Sequence, residues 1–186
     1  MSLPSRIEGY AIVSADGMLA DATGVMPETL KFEADQRFFE RGLDGVDAVV
    51  HGRNSHEHHP HSHLRRRIVL SRQVTAIAPD PADKTAVLWN PAGAPFEAAW
   101  DALGIRDGKL GVIGGTEVFG MFLPHYDVFH LTRAANVCLP GGRPVFPGVP
   151  TRTPEDTLHE HGLTPEPTQV LDVGQGVTLT TWVRRR

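Results

Sequence analysis

Residues 109–124 read Lys-Leu-Gly-Val-Ile-Gly-Gly-Thr-Glu-Val-Phe-Gly-Met-Phe-Leu-Pro. The apolar run Leu110–Ile113 has the length and content of a buried strand. It stops abruptly at Gly114-Gly115. Beyond that point Val118, Phe119, Phe122 and Leu123 recur at helical spacing, and Pro124 ends the pattern. A strand that turns through paired glycines into a helix lets the backbone approach a phosphate, because no Cβ intervenes and the amides of the first turn are free. Two glycines alone also fit an ordinary tight turn. The rest of the chain shifts the balance toward a nucleotide ligand.

Upstream, Ile7–Ser14 reads as a buried strand that ends in the turn signal Ala15-Asp16-Gly17. Pro27–Leu43 reads as a helix with Leu30, Phe38 and Phe39 on its inner face. Asp47–His51, Arg67–Ser71 and Thr85–Trp89 read as strands, and Pro95–Gly104 as a short helix. Val128–Leu131 is another strand, and Pro140–Pro154 is a Pro- and Gly-rich loop. Val170–Val173 and Gly176–Val183 form a closing hairpin, with good alternation through Val177-Thr178-Leu179-Thr180-Thr181-Trp182. Strands alternating with helices predict an α/β fold with a largely parallel sheet, to which the hairpin adds an antiparallel edge.

At 186 residues, 40% of them hydrophobic, the chain suits one domain spanning 1–186. Its net charge of −4 predicts no nucleic-acid partner. One cysteine, Cys138, leaves neither a disulfide framework nor a cysteine-built zinc site within the chain. No apolar run reaches membrane length and the first residues lack a signal-peptide core, so a cytoplasmic protein is expected.

Several segments stand in a telling order: Ala11-Ile12-Val13-Ser14-Ala15-Asp16-Gly17, Val49-Val50-His51-Gly52-Arg53-Asn54-Ser55, Arg67-Ile68-Val69-Leu70-Ser71-Arg72 and Val112-Ile113-Gly114-Gly115-Thr116-Glu117-Val118. Leu123-Pro124-His125-Tyr126-Asp127 and His130-Leu131-Thr132-Arg133 follow. This set resembles the dihydrofolate reductase superfamily, and most of all its riboflavin-biosynthesis branch, the C-terminal reductase domain of bifunctional deaminase-reductases. The resemblance implies a three-layer fold on a mostly parallel, eight-stranded sheet, NADPH as cofactor, a small-molecule substrate and a homodimer. It implies that Gly52, Arg53, Asn54 and Ser55 meet the cofactor pyrophosphate, where an arginine and a hydroxyl beside free amides suit the charge. Asn54 and Ser55 are equally good capping residues. Leu70, Ser71 and Arg72 match the pocket for the adenosine 2′-phosphate, which only NADPH carries. Gly114, Gly115, Thr116 and Glu117, flanked by Ile113 and Val118, match a second cradle whose Gly-Gly peptide is cis in the family. Ala11 and Gly17 complete the cofactor set.

On the substrate side the resemblance places an acid on the first helix. Asp35 is the match, and Glu33 is the alternative; Asp35 shares a helix face with Phe39. Either could also be a solvated carboxylate. The chain has Met26-Pro27-Glu28 and His56 where dihydrofolate reductases carry tryptophans, which weakens folate as the substrate. It has no His-x-Glu or Pro-Cys-x-x-Cys segment, so no deaminase chemistry is expected. A ribose phosphate would need cations, and Arg53, Arg65, Arg66 and the histidine-rich segment are the candidates. That segment holds His51, His56, His58, His59, His61 and His63, and reads better as a polar surface loop than as a metal site.

Overall fold

The computed structural model describes residues 1–55 and 61–185. Strands β1 (Arg6–Ser14) and β2 (Met18–Ala20) precede helix α1 (Glu33–Asp44) and strand β3 (Ala48–Gly52). Strands β4 (Arg66–Leu70), β5 (Ile77–Pro79) and β6 (Ala86–Trp89) lead to helix α2 (Phe96–Ala102). Strand β7 (Lys109–Val112), helix α3 (Thr116–Met121), strand β8 (Val128–Ala134) and strand β9 (Arg143–Pro144) come next. Helix α4 (Pro154–Glu160) and strands β10 (Leu163–Pro165), β11 (Gln169–Asp172) and β12 (Val177–Arg184) close the chain.

The main sheet runs in the order β10-β12-β8-β1-β7-β3-β4-β6-β5, and β11 also pairs with β12. The centre is parallel: β1 with β7 and β8, β3 with β7 and β4, β4 with β6. Antiparallel pairs close both sides, including the expected β11–β12 hairpin. The sheet has ten strands rather than eight. A separate two-stranded ribbon joins β2 to β9.

Alternation sets the layers. Val49 faces α1, in a cluster with Tyr10, Leu43, Val46, Phe38, Phe39 and Ile113. Val50 faces the other way, into the main core with Trp100 of α2, Phe119 of α3 and Leu158 of α4. Helix α1 thus covers one face and the other three helices the second, which gives the three layers.

The helix expected over Pro27–Leu43 is broken. Glu28–Leu30 is a 3₁₀ turn, Phe32 is extended (φ −121°, ψ 131°), and α1 starts at Glu33. The break lets Leu30, fully buried, reach Ile12 and Ala134, while Phe38 and Phe39 still face Tyr10. The loop expected over Pro140–Pro154 contains β9, and its last residue starts α4. Thr153 caps that helix, its Oγ1 accepting from Asp156 N at 3.0 Å, with Pro154 in the first turn.

Candidate nucleotide-binding cleft

Strands β3 and β7 are parallel neighbours with Val50 opposite Val112, so the turns that follow them emerge side by side. They are joined directly. Gly52 N donates to Gly114 O at 2.9 Å, and Ile113 N to Val50 O at 3.1 Å. The Ser55 hydroxyl lies 3.6 Å from where a Cβ on Gly114 would stand, and 4.0 Å from one on Gly115. The two glycine segments therefore form one continuous backbone surface. Gly114 has φ +119°, a region that suits glycine, and the Gly114–Gly115 peptide is cis.

Around that surface the side chains divide by commitment. Thr116 donates its hydroxyl to Pro144 O, and Val118 is buried. Ser55 N closes a turn on Gly52 O at 3.1 Å. Arg53 and Asn54 are exposed and have no side-chain partner among the described residues, and Glu117 is exposed. One strand further out, Leu70 ends β4 opposite Gly52. Ser71 is buried; its N donates to Trp89 O at 2.9 Å and its Oγ accepts from Gln73 N at 3.2 Å. That turn presents Arg72 to solvent, with no partner among the described residues. Unpaired guanidiniums beside open backbone are what a polyphosphate requires.

Strand β1 supplies an opening. Its ladder with β7 ends at Gly9↔Val112, but its ladder with β8 runs on to Ser14↔Ala134. Ala11 thus lies on a stretch of β1 whose β7-side edge carries no ladder, next to the Gly114–Gly115 turn. Gly17 has a structural role: φ is +83°, its carbonyl accepts from Val145 N at 3.0 Å, and a Cβ there would stand 2.7 Å from Val149 Cγ1. Asp16 ties the same turn down, accepting from Ser14 Oγ at 2.5 Å and from Leu139 N at 3.0 Å.

Of the two helix acids, Glu33 is exposed and ion-paired with Arg37, one turn on. Asp35 is half-buried in the first turn of α1, one turn before Phe39, which packs against Tyr10 with ring centroids 5.9 Å apart. Phe39 and Ile113 share one apolar cluster, so the inner face of α1 meets the glycine cleft at Ile113.

Two of the proposed phosphate ligands are misplaced. Arg65 and Arg66 stand at the start of β4, the opposite end of the sheet from Gly52 and Ser71. Arg65 is buried, its Nε donating to Leu43 O at 2.9 Å and a terminal nitrogen pairing with Asp44 at 3.0 Å. Arg66 donates to Leu103 O at 2.7 Å. His56, His58 and His59 lie outside the described residues. His51 is buried with Nδ1 2.9 Å from Gly52 O, and His61 Nδ1 is 3.4 Å from Asp44 Oδ1. No group of three side chains suited to a metal occurs among the described residues. Two surface cavities of about 460 Å³ lie elsewhere, one beside Asp44 and Arg65 and one between Phe96 and Phe122. The glycine segments line neither cavity; they lie side by side at the ends of β3 and β7.

The sequence reading missed a half-buried polar row beneath α1. Tyr10, His130 and Thr181 are register partners across β1, β8 and β12. The His130 ring stacks on Tyr10 at 4.8 Å, and its Nδ1 is 3.1 Å from Thr181 Oγ1. The His130 ring, with Nε2 3.9 Å away, the Tyr10 phenol donating at 2.6 Å and the Arg6 guanidinium hold the Glu8 carboxyl down at about 2 against the pull of burial. The free acid has a pKa of 4.5, so the native state favours the carboxylate. This contribution to stability is complete above about pH 4.5 and is lost as the pH falls toward 2. Glu8→Gln should therefore lower the urea midpoint at neutral pH, and the gap to wild type should narrow between pH 4.5 and 2. A gap that stays constant down to pH 2 refutes the assignment.

No protein-family model matches the sequence, and no curated protein does. Solved structures do match. A protein ascribed to riboflavin biosynthesis from Shewanella sp. PV-4 superposes with TM-score 0.63 at 22% identity, over 97% of this chain and 99% of that one. Dihydrofolate reductase from Enterococcus faecalis, complexed with NADP(H), gives 0.65 at 19% identity, over 97% of each chain. The diaminohydroxyphosphoribosylaminopyrimidine deaminase/5-amino-6-(5-phosphoribosylamino)uracil reductase from Thermotoga maritima gives 0.67 at 15% identity, over 97% of this chain and 56% of that one. The chain therefore has the α/β fold of the dihydrofolate reductases. No helix among the described residues is long and apolar enough to cross a membrane.

Proposed function

We propose that the protein is an NADPH-dependent reductase of the riboflavin-biosynthesis type, nominally a 5-amino-6-(5-phosphoribosylamino)uracil reductase. The observation that carries the reading is the union of the two glycine segments, with Gly52 N bonded to Gly114 O at 2.9 Å. That union joins two open backbone segments, with Arg53 next to Gly52 in sequence and Arg72 two residues past the end of the neighbouring strand β4, in the fold of the dihydrofolate reductases. The cofactor would supply a hydride to the pyrimidine-linked substrate; the protein would bind, orient and shield. Gly52, Gly114 and Gly115 would admit the pyrophosphate, Arg72 the 2′-phosphate, and the open edge of β1 at Ala11 the nicotinamide ring. Asp35 would orient the substrate from α1.

The test is a calorimetric titration with NADPH and with NADH, followed by loss of NADPH absorbance on adding the uracil substrate or dihydrofolate. Preference for NADPH with turnover of the uracil supports the reading. Turnover of dihydrofolate alone selects dihydrofolate reductase instead, and NADPH binding with no turnover leaves a binding module. Arg72→Ala should weaken NADPH by about tenfold or more, the scale of a lost charge-assisted hydrogen bond, and leave NADH unchanged. Equal losses for the two cofactors would remove Arg72 from the 2′-phosphate.

A further inference from the structure

The cavity between Phe96 and Phe122 has a volume of about 460 Å³, within the range of small-molecule sites. The glycine segments do not line it. It lies on the sheet face that α2 and α3 cover, and Ser5, Ile7 and Asp127 carry it to the starts of β1 and β8. Its aromatic lining is a row of rings. Trp89 meets Phe96 with centroids 5.7 Å apart and planes at 62°, Phe96 meets Phe122 at 5.0 Å and 88°, and Phe122 meets His125 at 6.5 Å and 72°. The row is held by the fold itself: the Trp89 indole donates to Ala94 O at 2.8 Å, and Phe122 is buried.

The N-terminal segment lines the cavity as well, through Leu3 and Pro4. It is tied down on either side of them: Ser2 N donates to Asp101 Oδ1 at 3.0 Å, and Ser5 N to Gly108 O at 2.9 Å. Leu3 nevertheless stays 55% exposed, apolar surface that the fold leaves uncovered. With His125 neutral, charge on the lining has one sign. Glu97 and Asp127 carry it, and among the described residues no lysine or arginine lines the cavity. Glu97 stands half-buried in the first turn of α2, with no partner among the described residues. Asp127 is half-buried too, its Oδ2 accepting from Ile7 N at 2.9 Å. Aromatic faces and carboxylates both attract cations, and the attraction grows as water is excluded. Both repel an anion, and a neutral apolar molecule leaves the carboxylates unanswered.

We propose that this cavity is a second ligand site, which takes a small organic cation: an ammonium carried on an aromatic or alkyl body. The body packs against Trp89, Phe96 and Phe122, and the charge is directed toward Glu97 and Asp127. The site is independent of the NADPH reading and shares no residue with it.

The probe is benzyltrimethylammonium, a phenyl ring with a fixed positive charge, titrated into isotope-labelled protein and followed by NMR. Amide signals of residues 94–97 and 121–127 should shift, with a dissociation constant of about a millimolar, the scale for a ligand of this size. Benzyl alcohol, neutral and of similar outline, should bind at least about fivefold more weakly, and benzoate more weakly still. Glu97→Gln should weaken the ammonium by about threefold, the scale of one partly exposed charge pair, and leave the alcohol unchanged. Phe96→Leu keeps apolar bulk but removes a ring, and should weaken the ammonium by about fivefold. The spectrum of each free variant checks its fold. No shift at these residues at about ten times the expected dissociation constant overturns the proposal. So does binding of the alcohol or of benzoate as tight as that of the ammonium, or an ammonium affinity that Glu97→Gln leaves at the wild-type value.

Discussion

Gly52→Val is expected to yield a folded protein that binds NADPH at least about 100-fold more weakly, a loss of about 2.7 kcal/mol. Gly52 ends β3 and is not among the glycines with positive φ, so its backbone accepts any side chain. A Cβ at this position would stand 3.8 Å from Val118 Cγ2 and 3.9 Å from Gly115 N, which is ordinary contact. A β-branched residue also suits a strand. Stability should therefore change by no more than about 1 kcal/mol in urea titration. What valine adds is a branched side chain over the joined Gly52 and Gly114–Gly115 backbone, the bare surface against which the pyrophosphate would lie. Gly114→Ala is a poorer probe, because φ of +119° and a Phe119 carbon 3.2 Å from the added methyl would disturb the fold as well. A well-folded Gly52→Val protein with wild-type NADPH affinity would mean that the cofactor does not use this surface.

Phe129→Ala should cost about 3–5 kcal/mol, a large share of the roughly 5–15 kcal/mol that holds a domain together. Phe129 is fully buried on β8, with ring centroids 5.0 Å from Tyr126, 5.6 Å from Phe119 and 5.2 Å from Phe146. It packs over Gly9 of β1, where a Cβ would come within 2.3 Å of the ring. Gly9→Ala should thus be severely destabilising alone, for the opposite reason of overpacking. In the Phe129→Ala background the worst overlap is gone and only the Tyr126 ring, with a carbon 2.9 Å from the added methyl, must yield, so the double variant should be clearly more stable than the two single losses summed. Calorimetric melting of the four proteins measures this coupling. Strict additivity would show that the strand and the ring do not meet as described.

The same pair explains what the sequence could reveal. Parallel strands buried on both faces appear as compact apolar runs, which is why the cores of β1, β3, β4, β6 and β7 were legible. The Gly114-Gly115 turn was legible because backbone approach demands glycine. Strands β2, β5, β9 and β10 are two or three residues long, too short for any period to show, and their pairing is set by tertiary contacts. Helix α4 did have a local signal, the Thr153-Pro154-Glu155-Asp156 start, hidden at the end of a proline-rich stretch. The break at Phe32 had none, since only the pocket around Ile12 tells Leu30 where to go. For the site, Gly52 and Gly114 could be named, but not that they would bond to each other. Arg65 and Arg66 could be named as cations, but not that they lie at the far end of the sheet. The row of Glu8, Tyr10 and His130 joins residues some 120 positions apart, beyond the reach of any local pattern.

The central place of β1 has a bearing on synthesis. This first strand has its ladder partners in β7 and β8, and Ile7 N reaches the carboxylate of Asp127, 120 residues later. A chain leaving the ribosome must therefore carry β1 without a ladder mate until residues 109–134 have emerged. Contacts of such long separation slow the closing of the sheet and lengthen the interval during which β1 can stick to other molecules. The cost of this topology thus falls on the period before residues 109–134 have joined β1.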